Sequence, residues 1–290
     1  MNTMQRQNVF ILGTAYSGST MLGKALSKHS QIGYIGELSR ARGFYKKYQL
    51  DNEAGECLEC VLQGQKCAVL TKEFVASTAK YTPLMAQNKL ADTIGEPIIV
   101  DGSKHVEWLR IATQNNKSNA KIKAIILARN PVDYIQSCKD RGIGPIWAEA
   151  NAWRDTYYDA LRTVSQLNIP FIVIQFEQLL AEPQSTLEQI CRLLGVSFED
   201  TMLSRTSPPL HAIGGNPSAY KTSANRSVLT RLHKRLGQRL FDINPQSLKN
   251  VSKKPKKIDA EVAGATFMTP GLVDIANLIG YRRSHLFPHK

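Results

Sequence analysis

The sequence predicts an α/β fold with a central parallel sheet flanked by helices. Short aliphatic, β-branched runs at 9–12, 98–100, 122–127 and 171–174 are near-continuous rather than alternating, the pattern of strands buried on both faces. Stretches of helical periodicity separate these runs, and such alternation folds as parallel strands joined by right-handed crossovers. The composition permits this: 42% hydrophobic and 21% charged residues over 290 positions exclude wholesale disorder.

The first strand, 9–12, leads through a glycine-containing loop into a helix over 21–28, followed by a short apolar run at 32–35. Residues 51–69 break the periodicity and carry Cys57, Cys60 and Cys67. A broken helical stretch at 71–95 contains Pro83. The second strand, 98–100, precedes a helix at 106–112. The third, 122–127, precedes helices at 132–139 and 146–166, with Pro131 in the first-turn position that proline tolerates. The last strand, 171–174, leads to a helix at 186–194, with Pro183 near its start. Residues 204–227 read as a long polar loop with Pro208, Pro209, Gly214, Gly215 and Pro217, and loops of that length are usually functional. A basic helix at 227–241 and the solvated run Lys253, Lys254, Lys256, Lys257 follow. No internal repeat is present. Residues 1–290 read as one domain, with 51–69 an insertion and 204–258 a loop plus basic helix.

The formal charge of +13 points to an anionic partner, since a positive field steers anions in. Nucleic acid, phosphorylated cofactors, sulfated glycans and anionic lipid all qualify. No stretch reaches the apolar length of a membrane span. The opening run is too short for a signal-peptide core, so cytoplasmic residence without membrane insertion is the expectation. Five cysteines are an odd number for a disulfide framework and would stay reduced there. The basic helix lacks aromatic interleaving or a recognition module, so no nucleic-acid partner is expected.

The loop Gly13-Thr-Ala-Tyr-Ser-Gly18-Ser19-Thr20 has the strand–loop–helix frame and glycine spacing of a Walker A loop, with Ser19 in place of its lysine. Curled backbone N–H groups and a helix N-terminus still favour a phosphate, whereas the amine that reaches a nucleoside triphosphate is lost. A plain glycine-rich βα turn is the competing reading. Arg129, at the end of the third strand, and Ser137, two turns into the next helix, suit a grip on one phosphate, because a guanidinium offers a planar fork and parallel-sheet ligands sit at this edge. A surface ion pair and a solvent-facing hydroxyl are the bland alternatives.

With these residues the chain resembles the sulfotransferases that use 3′-phosphoadenosine 5′-phosphosulfate (PAPS), bacterial and Golgi-type members especially. GTAYSGSTML resembles the family's 5′-phosphosulfate loop and ARNPVDYIQSCKDR its 3′-phosphate segment. VIQFEQLLAEPQSTLEQICRLLGV is similar to a strand–helix stretch of the family, and HAIGGNP at 211–217 to a loop of bacterial members. The resemblance implies a three-layer P-loop-type fold, PAPS as donor and the bisphosphate PAP as product. It places the donor's 5′ end on Tyr16, Ser17, Gly18, Ser19 and Thr20. It places the 3′-phosphate on Arg129 and Ser137 with Arg141 one turn on, and the adenine-covering segment near Tyr220, Lys221 and Arg226. The chain departs from the family at Tyr16, where Lys or Arg is common, and at Phe176, where Tyr is.

Sulfuryl transfer needs a base for the acceptor hydroxyl or amine and cations for the charge that builds on the transferred group. Glu37, in Gly36-Glu37-Leu38, resembles the catalytic Glu of tyrosylprotein sulfotransferases. His105, after Lys104, resembles a segment of cytosolic sulfotransferases. Glu37 is preferred as the base, and either assignment needs Lys104 as the cation. The acceptor pocket is expected from loops 38–69 and 204–227. The scheme requires no metal. Cys57-x-x-Cys60…Cys67 lacks a fourth ligand at zinc-finger spacing, so a structural knot or reduced loop is preferred, and zinc needs a distant residue to complete it. Cys138 is expected in the core. Two other functions remain: a P-loop nucleotide kinase or NTPase, opposed by Ser19 and by the lack of a clear strand-end aspartate beyond Asp101, and a non-catalytic polyanion-binding module.

Overall fold

The aliphatic runs form strands, each extending a little beyond its apolar residues. The computed structural model describes residues 6–41, 46, 57, 59–60, 64–116, 120–204, 210–215, 258–282 and 286. Its strands are β1 (Gln7–Leu12), β2 (Ile32–Tyr34), β3 (Ile98–Lys104), β4 (Lys121–Ala128) and β5 (Phe171–Gln175). They make one all-parallel sheet in the order β2-β3-β1-β4-β5. The helices are α1 (Ser19–Leu26), α2 (Lys72–Ser77), α3 (Pro83–Ile94), α4 (Val106–Gln114), α5 (Pro131–Arg141), α6 (Ile146–Gln166), α7 (Phe176–Ala181), α8 (Pro183–Leu194), α9 (Ala260–Met268) and α10 (Leu272–Leu278).

Successive side chains of a strand face opposite ways, and β1 uses this to join two cores. Val9 and Ile11 pack with Leu22 and Leu26 of α1 and Leu187 and Ile190 of α8. Phe10 and Leu12 belong to the larger core on the other face, with Leu90 of α3, Trp108 of α4, Ile135 of α5 and Trp153 of α6. The chain is therefore a three-layer α/β fold. Pro83 differs from expectation. It does not interrupt a helix but opens α3, where Thr82 caps by accepting from Met85 N–H. Cys138 is buried, as expected. The apolar pattern does not single out α9 and α10, which bury Val262, Ala265, Leu272 and Ala276 in the larger core. Tyr220, Lys221, Arg226, the basic run 227–241 and the lysines at 253–257 lie outside the described residues. Among the described residues no helix is long and apolar enough to cross a membrane.

β3 runs four residues past its apolar segment because its polar tail is satisfied internally. Buried Asp101 accepts from Trp108 Nε1 at 2.8 Å, Gln87 Nε2 at 3.0 Å, Ser103 N–H at 2.9 Å and the Ser103 hydroxyl. Gln87 in turn accepts from Asn8 Nδ2 at 2.7 Å, and Ser103 Oγ accepts from Ser39 N–H at 3.0 Å. One carboxylate thus ties β1, α3, β3, α4 and the turn after β2. Burial pushes the Asp101 carboxyl above the usual carboxylate range, and its hydrogen bonds pull it back. Beyond Asp101, β3 carries one more residue than β1 opposite it, with Phe10 paired to Asp101 but Leu12 to Lys104. Such a bulge re-aims the side chains that follow.

Asp101→Ala leaves three buried N–H donors without an acceptor. The expected loss is about 3 kcal/mol or more, at about 1–3 kcal/mol per stranded donor, read as a lower urea midpoint with unchanged slope. A loss below about 1 kcal/mol would mean that the network is not what holds these elements.

Candidate active site

The carboxyl ends of the strands converge on two adjoining features, a phosphate-type loop with a basic patch and a cleft holding a carboxylate. The chain leaves β1 at Leu12 and turns through 13–18 into α1. Gly18 is the N-cap of α1 at φ 94°, and a Cβ there would lie 2.3 Å from the Phe176 ring. Only glycine fits, both for the left-handed backbone and for the ring beneath it. Gly18 O is the acceptor for Met21 and Leu22 N–H, and the N–H groups ahead of these face out of the positive end of the helix. Ser17 Oγ is buried and has no hydrogen-bond partner among the described residues. Tyr157, on α6, fixes the loop to β4: its hydroxyl donates to Leu127 O at 3.0 Å and accepts from Thr14 N–H at 3.5 Å. Burial keeps that phenol protonated, pushed up to about 12.

The residues expected to flank the loop are brought to it. Arg129 Nη1 donates to Tyr16 O at 3.3 Å, and its guanidinium stands 5.9 Å from the centre of the Phe176 ring. The Arg141 guanidinium lies over the Tyr16 ring at 4.4 Å and donates to Ser137 Oγ. Ser137 is buried rather than solvent-facing. Burial holds Arg141 below the ordinary guanidinium value, and the like charge of Arg129 adds to this. Arg129 has no carboxylate partner among the described residues. The cation nearest Tyr16 is thus stacked on its ring and not carried by the loop itself.

Glu37 follows β2 at the opposite side of the loop and is 5% exposed. Its Oε1 is paired with Lys104 Nζ and its Oε2 with Arg40 Nε. Lys104 also donates to Gly102 O at 3.2 Å, and its backbone φ of 70° places it in the left-handed region. Burial pulls the Lys104 ammonium below the ordinary lysine value, while Glu37 opposes that. His105 stands exposed beside it and makes no side-chain hydrogen bond among the described residues. Partial desolvation in the cleft, then the Lys104 charge, lower its imidazole pKa. Glu37, Lys104, His105 and the loop residues Gly13 and Thr14 all line one cleft of about 730 Å³.

The backbone around Glu37 is held from both sides. Gly102 N–H donates to Gly36 O at 2.7 Å, Ile213 N–H to Ile35 O at 2.9 Å and Glu37 N–H to Ile213 O at 2.7 Å. Gly36, at φ 74°, permits this approach, since a Cβ would meet Ile213 O at 2.3 Å. The remaining cleft walls come largely from helices. Among the described residues they come mainly from α4 and α6, through Arg110, Tyr158 and Asp159, with Arg40 from the 38–69 stretch; most of 38–69 and of 204–227, expected to form the acceptor pocket, lies outside the described residues. α6 is held at this edge by Tyr157, which donates to Leu127 O, and by Trp153 Nε1, which donates to Arg129 O at 2.9 Å. Sequence reasoning missed Tyr157 and Arg40. The three-residue step from Glu37 to Arg40 was a usable signal, and nothing local marks Tyr157.

Gly18→Ala is expected to destabilise the chain by about 1–3 kcal/mol, the usual range for a side chain forced into left-handed backbone. Thermal unfolding checks this. An unchanged Tm would mean that the loop re-forms without the Phe176 contact.

A family model described as the Sulfotransferase family matches residues 8–200. No curated protein sequence matches the chain. Among solved structures it is similar to a sulfotransferase domain from the curacin biosynthetic pathway, at 17% identity and TM-score 0.54, over 96% of this chain and 98% of that one. It is similar also to a sulfotransferase domain from the Synechococcus PCC 7002 olefin synthase, at 17% identity and TM-score 0.50, over 97% and 98%. At that identity the structures speak for the fold, and the family match covers well over half of the chain. The protein, with its lysine-free glycine loop on a five-stranded parallel sheet, belongs to the sulfotransferase family.

Proposed function

We propose that the protein transfers a sulfuryl group from PAPS to a hydroxyl or amine acceptor by in-line displacement, with PAP as product. The observation that carries this reading is the convergence of Arg129, Arg141 and Ser137 on the backbone of a phosphate loop without a lysine. Two neighbouring guanidiniums, one partly buried, favour an anion between them. The buried Ser17 Oγ, without a hydrogen-bond partner among the described residues, and the positive end of α1 favour a second anionic group a short distance away. A donor with phosphates at both its 5′ and 3′ positions fits both. Tyr16 to Thr20 would hold the 5′ end, and Arg129, Ser137 and Arg141 the 3′-phosphate. The donor supplies the activated sulfuryl group.

The chain's own residues account for the acceptor side. Glu37 accepts the acceptor's proton, since each carboxylate oxygen keeps a lone pair beyond the one its cation occupies. Lys104 and Arg40 fix the carboxylate's orientation, and Lys104 keeps positive charge beside Gly13 and Thr14, where charge develops during transfer. His105 is the alternative base. Its lowered pKa leaves the imidazole neutral at pH 7, able to accept a proton. Both bases line the same cleft, and Glu37 is preferred because it is buried and held in one position. A kinase or NTPase reading is disfavoured by Ser19 and by Asp101, whose carboxylate is committed to Trp108, Gln87 and Ser103.

PAP is expected to stabilise the protein by about 2.7 kcal/mol at one hundred times its Kd, with ATP and AMP at the same concentrations giving much less. Equal shifts with ATP would count against the reading. Arg129→Ala is expected to weaken PAP by about 1.5–3 kcal/mol and to leave AMP nearly unchanged, by calorimetry. Equal losses for both ligands would make Arg129 a structural residue.

Turnover separates the two bases. Glu37→Gln is expected to slow transfer about 10²–10⁴-fold with PAP affinity retained, and His105→Asn to cost less. The reverse order of effects would assign the proton to His105.

A further inference from the structure

Three cysteines that lack a fourth partner in the sequence acquire one in the fold. Cys57, Cys60 and Cys67 come from the segment before α2. His211 joins them from the stretch that packs against Glu37, 144 residues beyond Cys67. Its Nδ1 lies 4.0, 3.5 and 3.3 Å from the Sγ atoms of Cys57, Cys60 and Cys67. All four candidate ligand atoms fall within 4.8 Å of one another, and all three cysteines are free thiols. Tetrahedral zinc, with bonds of about 2.3 Å to sulfur and about 2.0 Å to nitrogen, sets sulfur and nitrogen about 3.5 Å apart. The three distances straddle that value.

We propose that Cys57, Cys60, Cys67 and His211 form a closed, structural zinc site. Three sulfurs and one imidazole are the donor set of structural zinc, and four protein ligands leave no position for substrate. Leu70 N–H donates to Cys67 Sγ at 3.1 Å, the kind of outer contact that steadies a ligating thiolate. Cys57 and Cys60 are buried and Cys67 and His211 half-buried, which limits the access of competing water. Binding replaces three thiol protons with one Zn²⁺, so the protons leave to solvent and the site carries a net charge of −1.

The site acts as a clip. Ile213, two residues after His211, bridges Cys57 on one side and Gly36 on the other. The ion therefore fastens 57–67 to the strand edge from which Glu37 projects. It also closes a chain loop long enough that the loop-closure entropy is substantial.

Elemental analysis of the full-length protein, purified under reducing conditions, is expected to give one zinc per chain. After chelation, Co²⁺ titration should give the intense visible bands of a tetrahedral ion together with thiolate-to-cobalt charge transfer. His211→Ala and Cys60→Ser are expected to lose stoichiometric metal and to lower Tm. His211→Cys should retain metal with an altered cobalt spectrum, which keeps the test open if the first two variants fold poorly. Substoichiometric zinc after reconstitution, an octahedral cobalt spectrum, a disulfide among the three cysteines, or full metal content in His211→Ala would each overturn the proposal. These readouts require no sulfuryl transfer, so failure of the donor assignment would leave the zinc site standing, and the reverse.

Discussion

The buried carboxylate of Asp101 is the constraint on which the candidate site depends. Carboxylates are rarely fully buried unless partnered, and this one has four hydrogen bonds. They reach two helices and the tail of its own strand, and through Ser103 they reach the backbone of Ser39, two residues past Glu37. Asp101 also marks the point where β3 gains its extra residue. Both members of the Glu37–Lys104 pair are therefore positioned by the same interaction, one through the Ser39 turn and the other through the bulge.

The phosphate-type loop divides the carboxyl edge of the sheet into two environments. On the β4 side stand Arg129 and Arg141, cations facing loop backbone and an aromatic ring. On the β3 side stand Glu37, Lys104 and Arg40, a carboxylate between two cations. β1 lies between β3 and β4, so its loop borders both. This is the crevice where parallel α/β sheets bind ligands. The arrangement separates a region of two guanidiniums from one that holds a buried carboxylate between two cations, and the loop borders both.

The segment around Ile213 matters for a different reason. It completes the hydrogen bonding of Ile35 and Glu37 at the edge of the sheet, where β2 is only three residues long. A strand so short holds the residue that follows it poorly by its own ladder. Pairing from a distant segment, possible because Gly36 has no Cβ, provides the missing rigidity.

The sequence by itself determined the sheet-and-helix pattern, the lysine-free glycine loop and the Arg129–Ser137–Arg141 spacing. Each lies within a window where backbone chemistry and periodicity act, so each is legible locally. The aliphatic runs become strands, buried except for β5 at the sheet's edge, where only Ile174 is buried although its apolar run suggested burial on both faces. Glycines permit the loop, and residues four apart on a helix, such as Ser137 and Arg141, must be neighbours. The tertiary structure decided what Glu37 touches, how Tyr157 fixes the loop, which helices wall the cleft and that His211 meets three cysteines. Those contacts join side chains separated by 67 positions for Lys104 and Glu37, 143 for Thr14 and Tyr157 and 144 for Cys67 and His211. They depend on strand order and on the bulge in β3. Apolar periodicity specifies that strands are buried but not which strands are neighbours, and the satisfaction of Asp101, which sets the path of β3, draws its donors from elements that only the folded chain brings together.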